Sequence, residues 1–330
     1  MNMLKASSRA AFSRSAALCL VAVLALQVCA FAQSFPSKPV KLVVPNPPGG
    51  AIDTLARLLS QRLQPLWGQP AVVDYKPGAN TIVGTDFVAK SAPDGYTLGM
   101  VVASHVINPS VRSHMPYDTL KDLSGVTLTA LTTILVSASP SLQANSIAEL
   151  IALAKKNPGK LSYASPGSGS APHLAGELLK IMTGIEMVHV PYKGAAMAYG
   201  DVMSGRLQLL FDPIFGAMPH VKAGKIKALA VTSPRRWPSA PDIPTVAETV
   251  PGFSVDSING IVVPSATPRE LVRRISADFA SVLKQPDFKA RLNEIGLEPV
   301  GNTPEEFDAF IRAEIARWAK VVKTANLTVD

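Results

Sequence analysis

From Val40 onward the chain alternates short apolar runs with segments whose apolar residues recur every three to four positions. Short apolar runs fit strands and the three-to-four-residue period fits helices, so the alternation restricts the chain to sheets flanked by helices. Val40 to Val44 reads as a strand that stops at Pro45-Asn46-Pro47-Pro48-Gly49-Gly50, after which Ile52, Leu55, Ala56, Leu59 and Leu63 share one helix face. Ala71 to Tyr75 is a second strand, Lys76-Pro77-Gly78-Ala79 a turn, Ile82 to Lys90 a helix, and Tyr96 to Val102 a third strand behind the turn Pro93-Asp94-Gly95. A second block opens with a strand at Leu135 to Ala138 and a helix at Ser146 to Lys156, followed by Leu161-Ser162-Tyr163-Ala164 and a helix from Ala175 to Thr183. It continues with a strand at Glu186 to Val190, a helix near Met197 to Ser204, and strands at Leu207 to Phe211 and Ala228 to Thr232. After the proline-rich stretch 234–241 come a strand at Gly260 to Val263, a helix from Arg269 to Leu283, and a C-terminal helix from Pro304 to about Thr324. In that last helix Phe307, Phe310, Ile311, Ile315, Trp318 and Val322 fall at core spacing. Two α/β lobes are predicted, with no flexible linker between them and no repeat of fixed period.

Residues 1–32 stand apart from this rhythm. Lys5, Arg9 and Arg14 precede an unbroken apolar run from Ala16 to Leu26, and Ala30-Phe31-Ala32 supplies a small-x-small end, the layout of a secretory signal peptide cleaved after Ala32. The apolar run is too short for a retained membrane span of about 20 residues. A lipoprotein reading through Cys29 lacks the small residue expected just before the cysteine, where Val28 stands. Cys19 and Cys29 are the only cysteines, so the exported chain forms no disulfide and depends on packing. The expected location is the bacterial periplasm.

Removing Lys5, Arg9 and Arg14 from a formal charge of +8 leaves +5, spread without clusters larger than pairs such as Arg235-Arg236. Nucleic-acid binding calls for clustered cations and is excluded on that ground, whereas a thin positive bias suits solubility and attraction of anions. No Gly-x-Ser-x-Gly elbow, Walker loop or complete dinucleotide fingerprint occurs. The five histidines, His105, His114, His173, His189 and His220, include no i,i+4 pair and have no cysteine company, so no metal and no cofactor is predicted.

Small-residue loops at the carboxyl ends of predicted strands are the remaining candidates, because helix N-termini point there in open α/β sheets. The first is Asn46-Pro47-Pro48-Gly49-Gly50 with Asp53, where Pro48, Gly49 and Gly50 shape an anion cradle and Asp53 either joins the site or caps the helix. The second, Ser165 to Ser170 ahead of His173, offers Ser165, Gly167, Ser168 and Ser170 as donors; its plainer role is a helix cap with His173 packed behind. The third is Tyr192-Lys193-Gly194, an aromatic wall with a cation that is otherwise solvated. Ser104 and His105 after the third strand, and Asp212 after Leu207 to Phe211, complete the rim. Micromolar affinity needs about 8 kcal/mol, while each hydrogen bond to a charged group nets roughly 1.5–3 kcal/mol before association entropy is subtracted. One loop is insufficient, so capture between two lobes is expected.

Taken together, the segments resemble the Bug-type solute-binding proteins of tripartite tricarboxylate transporters. The resemblance rests on Lys38-Pro39-Val40-Lys41-Leu42-Val43-Val44-Pro45, Pro47-Pro48-Gly49-Gly50-Ala51-Ile52-Asp53, Lys76-Pro77-Gly78-Ala79 and Ala92-Pro93-Asp94-Gly95-Tyr96-Thr97-Leu98. It extends through Asn157-Pro158-Gly159-Lys160-Leu161, His173-Leu174-Ala175-Gly176-Glu177-Leu178, His189-Val190-Pro191-Tyr192-Lys193-Gly194, Pro241-Asp242-Ile243-Pro244-Thr245-Val246 and Glu314 to Val321. It implies a two-lobe, type II periplasmic-binding-protein fold with the ligand cleft between the lobes. Lobe 1 is then 33–134 plus 233–330, including the C-terminal helix, and lobe 2 is 135–232. It also implies a monomeric, non-enzymatic receptor that holds a small organic carboxylate, largely through backbone and hydroxyl donors, and delivers it to integral-membrane transporter subunits. Asn46 and Asn80 stand where many relatives have an aromatic residue and a glycine, and Pro172 intrudes before His173. The rival expectations are a periplasmic hydrolase or isomerase using Ser104, His105, Ser168, His173 or Asp212, and a sensory partner of a histidine kinase.

Overall fold

A single long strand carries the chain from one ladder of the sheet to another. The computed structural model describes residues 35–325 and 327–329, so the expected signal peptide and its cleavage point lie outside the described residues. In chain order the elements are β1 (Val40–Val44), α1 (Ala51–Trp67), β2 (Ala71–Tyr75), α2 (Ile82–Ala89), β3 (Thr97–Val102), α3 (Ser104–Val111) and β4 (Leu123–Ala138). Next come α4 (Ile147–Lys156), β5 (Leu161–Ser165), α5 (Ala171–Thr183), β6 (Met187–Pro191), α6 (Tyr199–Met203), β7 (Leu209–Pro213), α7 (Ile214–Lys222) and β8 (Lys227–Val231). The chain ends with β9 (Asp256–Pro264), α8 (Arg269–Leu283), α9 (Pro286–Glu294), β10 (Glu298–Pro299) and α10 (Pro304–Ala325).

The strands run β2-β1-β3-β9-β4-β7-β5-β6, with β8 and β10 also paired to β4. β1 is parallel to β2 and β3, and β5 is parallel to β6 and β7, while β9 and β4 join these two groups by antiparallel pairing. Leu123 to Thr133 of β4 pair with β9, whereas Ile134 to Ala138 pair with β7 and β8. The return crossing is stitched beside that switch. Ile134 N–H donates to Thr232 Oγ1, Thr232 Oγ1 donates to Val255 O, and Val255 N–H donates to Thr232 O.

Sequence patterning locates the parallel strands and most helices, but reads only four residues of the sixteen-residue β4. Thr127, Thr129, Thr132 and Thr133 hide the rest: all four are buried, and Thr127, Thr129 and Thr132 satisfy their hydroxyls on Asn302 O, Asn259 O and Gly296 O. A buried strand can thus carry polar side chains without exposing them. Helices α3 and α7 were not predicted and contain Pro109 and Pro219; burial of Val106, Ile107 and Val111, and of Ile214 and Ala217, holds them helical nonetheless.

One core cluster packs β1 and β3 against α1 and α8. Another runs from Val106 and Ile107 of α3, through Phe307, Ile311 and Trp318 of α10, to Leu174 and Leu179 of α5. Helix α10 therefore rests on both ladders. It can lie close because Gly125 of β4 and Gly260 of β9 leave room for the Phe307 ring, against which a Cβ at either glycine would collide. Among the described residues no helix is long and apolar enough to cross a membrane.

Candidate functional site

The loops after β1, β2 and β3 and those after β5, β6 and β7 leave the carboxyl ends of their strands, the place where parallel sheets expose helix N-termini. In the first loop Gly49 adopts φ +98°, a conformation that favours glycine, and Gly50 is extended; a Cβ on either would meet nothing within 4 Å. No side chain caps α1 at Gly50, so its first-turn N–H groups face this open side. Asp53 turns back instead of outward: Oδ2 accepts the Gly49 N–H at 2.8 Å, and Oδ1 accepts Arg57 Nε at 2.8 Å and the Tyr75 hydroxyl. Burial opposes its charge, but the hydrogen bonds from Tyr75, Gly49 and Arg57 outweigh burial and hold the carboxyl below its ordinary value. Asp53 thus fixes the loop's shape. Pro48 is exposed, and Asn46 Oδ1 is buried with no partner among the described residues.

The loop after β2 contributes a feature that sequence reading missed. Ala79, Asn80 and Thr81 are consecutive non-glycine residues at φ +46°, +52° and +76°, each left-handed conformation costing roughly 1–2 kcal/mol. Thr81 and Ser104, both buried, bring their hydroxyls to 2.9 Å, and Asn108 Nδ2 donates to Asn80 O at 2.9 Å. The N–H groups of Ala79, Asn80 and Thr81 donate to nothing among the described residues. The sequence signals were the turn Lys76-Pro77-Gly78-Ala79 and the departure at Asn80, which together do not give three consecutive strained residues. His105, next to Ser104, is fully buried, which pushes its pKa down to about 4 and keeps the ring neutral.

On the other ladder Ser165 Oγ lies 2.7 Å from His189 Nε2 and exchanges hydrogen bonds with Gly167. Ser170 caps α5 through the His173 N–H and donates to Gly167 O, while His173 Nδ1 accepts the Gly169 N–H at 3.1 Å. The His173 and His189 rings stack at 3.9 Å. Burial pushes His173 down to about 4, and burial together with His173 beside it pushes His189 down to about 3. A neutral His173 is what the Gly169 contact requires, since a protonated Nδ1 accepts nothing. Behind them the Tyr163 hydroxyl donates to Glu177 Oε1, which also pairs with Lys180. Ser168 Oγ makes no hydrogen bond among the described residues, and Lys193 is exposed without an ion-pair partner among them. Tyr192 is tied at both ends, its N–H to Ser165 O and its hydroxyl to Asp201. A Cβ at Gly194 would meet open space. Asp212 is buried, accepts the Tyr199 hydroxyl at 2.6 Å, and is pushed up by burial to about 7.

The predicted residues therefore form two shells. A Cβ at Gly49, Gly50 or Gly194 would meet open space and the Ser168 and Lys193 side chains have no partner among the described residues, whereas Asp53, Ser104, Ser165, Ser170, His173, Tyr192 and Asp212 brace the loops that carry them. Sequence reading did not separate the shells; it noted Asn80 only as a departure from relatives, and it missed Thr81, Asn108, His189 as a bracing residue, and Tyr199. A depression of about 570 Å³ lies elsewhere, at the C-terminal end of α3 around Arg112, Met115 and Tyr117.

The neutral histidines have a pH consequence. Unfolded histidine takes a proton near 6.5, whereas His105 does so in the fold only near 4. Between those values the unfolded state binds more protons, so stability falls as pH drops. Asp212 acts oppositely, since its folded pKa of about 7 exceeds the ordinary 3.8 and its contribution is lost as pH rises through 7. In urea melts at about pH 7 and pH 5, His105→Asn is expected to lose about 1–2 kcal/mol less on acidification than the parent. Equal losses would show that His105 takes up a proton normally in the fold.

A family model described as tripartite tricarboxylate transporter family receptor matches residues 55–327. Protein BugT of Bordetella pertussis is 33% identical over 295 residues, covering 88% of this chain and 90% of the relative. A solved structure from R. palustris, Rpa4515 with adipate, is 39% identical with a TM-score of 0.83, covering 89% of this chain and 99% of that one. MatC from Rhodopseudomonas palustris with bound malate is 29% identical with a TM-score of 0.78, covering 87% and 100%.

Proposed function

The chain belongs to the tripartite tricarboxylate transporter receptor family, and on that footing we propose that it captures a small organic carboxylate between its two ladders and hands it to a membrane transporter. It is a solute-binding receptor with the α/β fold of periplasmic binding proteins. The relatives solved with adipate and with malate support a dicarboxylate as the class to try first. The observation that carries the reading is the arrangement of loops: Gly49, Gly50 and Gly194 border open space, at the strand ends of both ladders.

In this reading the uncapped start of α1 and the free N–H groups at Ala79 to Thr81 take one carboxylate group from lobe 1. Ser168, Lys193 and the Gly194 backbone approach from lobe 2. Pro48 lines the mouth, and Asp53, Ser104, His105, Ser165, Gly167, Ser170, His173, Tyr192 and Asp212 hold these donors in place. The lobes meet along β4 near Leu135 and along the return near Thr232. The mature protein begins at Gln33 after removal of the signal peptide, acts as a monomer, and leaves its ligand chemically unchanged.

Thermal-shift and calorimetric titration of the mature protein with mono-, di- and tricarboxylates, amino acids and aromatic acids tests the proposal. At least one dicarboxylate is expected to stabilise it, by about 2.7 kcal/mol at a hundred times the dissociation constant, and to be recovered intact. A flat response across the panel would overturn it.

A further inference from the structure

Among the described residues, Asn80 is the side chain of the loop after β2 whose hydrogen bond reaches the other ladder. Its Nδ2 donates to Asn108 Oδ1 at 3.0 Å within its own lobe and to Gly169 O at 3.3 Å in the loop after β5. Asn108 returns a bond to Asn80 O, so the Asn80 amide is held from both its side chain and its backbone. The receiving surface is shaped to match. Gly169, at φ +76°, has no side chain, and a Cβ there would lie 3.4 Å from both Asn80 Nδ2 and Val111 Cγ2 and 3.7 Å from Val329 Cγ2. Val329 is placed by its own N–H, which donates to Val111 O. Behind Gly169, its N–H is pinned by His173 Nδ1, so the carbonyl offered to Asn80 sits on a braced loop.

Strain points the same way. Ala79, Asn80 and Thr81 stay left-handed, which a loop adopts only when its surroundings over-determine it. Polar restraints on that strain include the Asn80–Asn108 pair and the Thr81–Ser104 hydroxyl contact, both within lobe 1. What they hold in place is an amide aimed at lobe 2.

We propose that Asn80 is a positioning residue that latches the lobes together across the Asn80–Gly169 contact, biasing the receptor toward its closed arrangement and so setting how tightly a captured carboxylate is retained. The inference rests on the two-lobe receptor reading. A hydrogen bond of this kind shifts a two-state balance by up to about tenfold. Rotation of one ladder against the other about β4 and β9 breaks it, and the lone lobe-1 partner, Asn108, remains to satisfy Asn80 in the open form.

Both cysteines precede Gln33, so spin labels at K90C and K156C, one exposed site per lobe, are unique in the mature chain. Interlobe distances are then measured without any ligand in this background, in Asn80→Gly and in Asn80→Asp. Glycine accepts the left-handed backbone and removes only the amide. Aspartate keeps the shape but sets a carboxylate against Gly169 O and Asn108 Oδ1. The expected result is a shift of population to longer distances in both variants, by up to about tenfold in the closed-to-open ratio for glycine and more for aspartate. Melting temperatures of the variants report whether they are folded. The same distance distribution in all three proteins would overturn the latch, whatever the carboxylate titrations show, because no ligand enters the measurement.

Discussion

Gly50→Leu is expected to lower the affinity for the carboxylate that stabilises the parent most by at least about a hundredfold, or about 2.7 kcal/mol, with an unchanged melting temperature. Gly50 has an ordinary extended backbone and is exposed, so leucine introduces no strain and meets no packed neighbour. Its side chain enters the open space that a Cβ at Gly50 would face, beside the uncapped N–H groups of α1. A carboxylate placed there loses both room and hydration-free access to those donors. Gly50→Ala, with one methyl in the same space, should fall between. Calorimetry decides the matter: an affinity equal to the parent's places the ligand away from this loop and removes the cradle from the site.

Phe307→Ala is expected to cost about 3–5 kcal/mol of folding stability, the range for a fully buried aromatic ring that leaves a cavity. The ring is completely buried beneath Gly125 and Gly260 and anchors α10 to β4 and β9. Gly260→Val drives a side chain into that ring and should cost about 1–3 kcal/mol or more. The double variant should be markedly more stable than the sum of the two losses, because valine then occupies the space the phenyl ring vacated. Urea melts of the four proteins check this. Additive losses would mean that the glycines do not serve the ring, and a small effect of Phe307→Ala alone would mean that α10 is docked by other contacts. Since α10 rests on α3 and α5 as well as on β4, the larger loss should extend to both lobes.

Much of the fold was legible from apolar periodicity. The strands Val40 to Val44 and Ala71 to Tyr75 and the helix Arg269 to Leu283 lie where patterning puts them, the strands as short apolar runs and the helix through apolar residues at its own period. The strand β4 was not, because Thr127, Thr129, Thr132 and Thr133 look polar in a sequence and are buried in a sheet. For the site, glycine and hydroxyl content marked the right loops but not the division of labour within them. Asp53 and Asp212 look alike as acids after strands. One is held charged by three donors, and the other is pushed toward neutrality by burial that outweighs the hydrogen bond from Tyr199.

By itself the order of residues decided where much of the backbone turns, which stretches bury apolar side chains, and that the first 32 residues differ in pattern from the rest. Those properties are local, set by φ/ψ preference and by spacing over a turn or two. Only the tertiary structure decided that Asn80 meets Gly169, that His173 stacks on His189, and that Phe307 slots under two glycines. Each of these joins residues far apart in the chain, and both the contact distance and the desolvation that tunes the charged groups exist only once the ladders have packed.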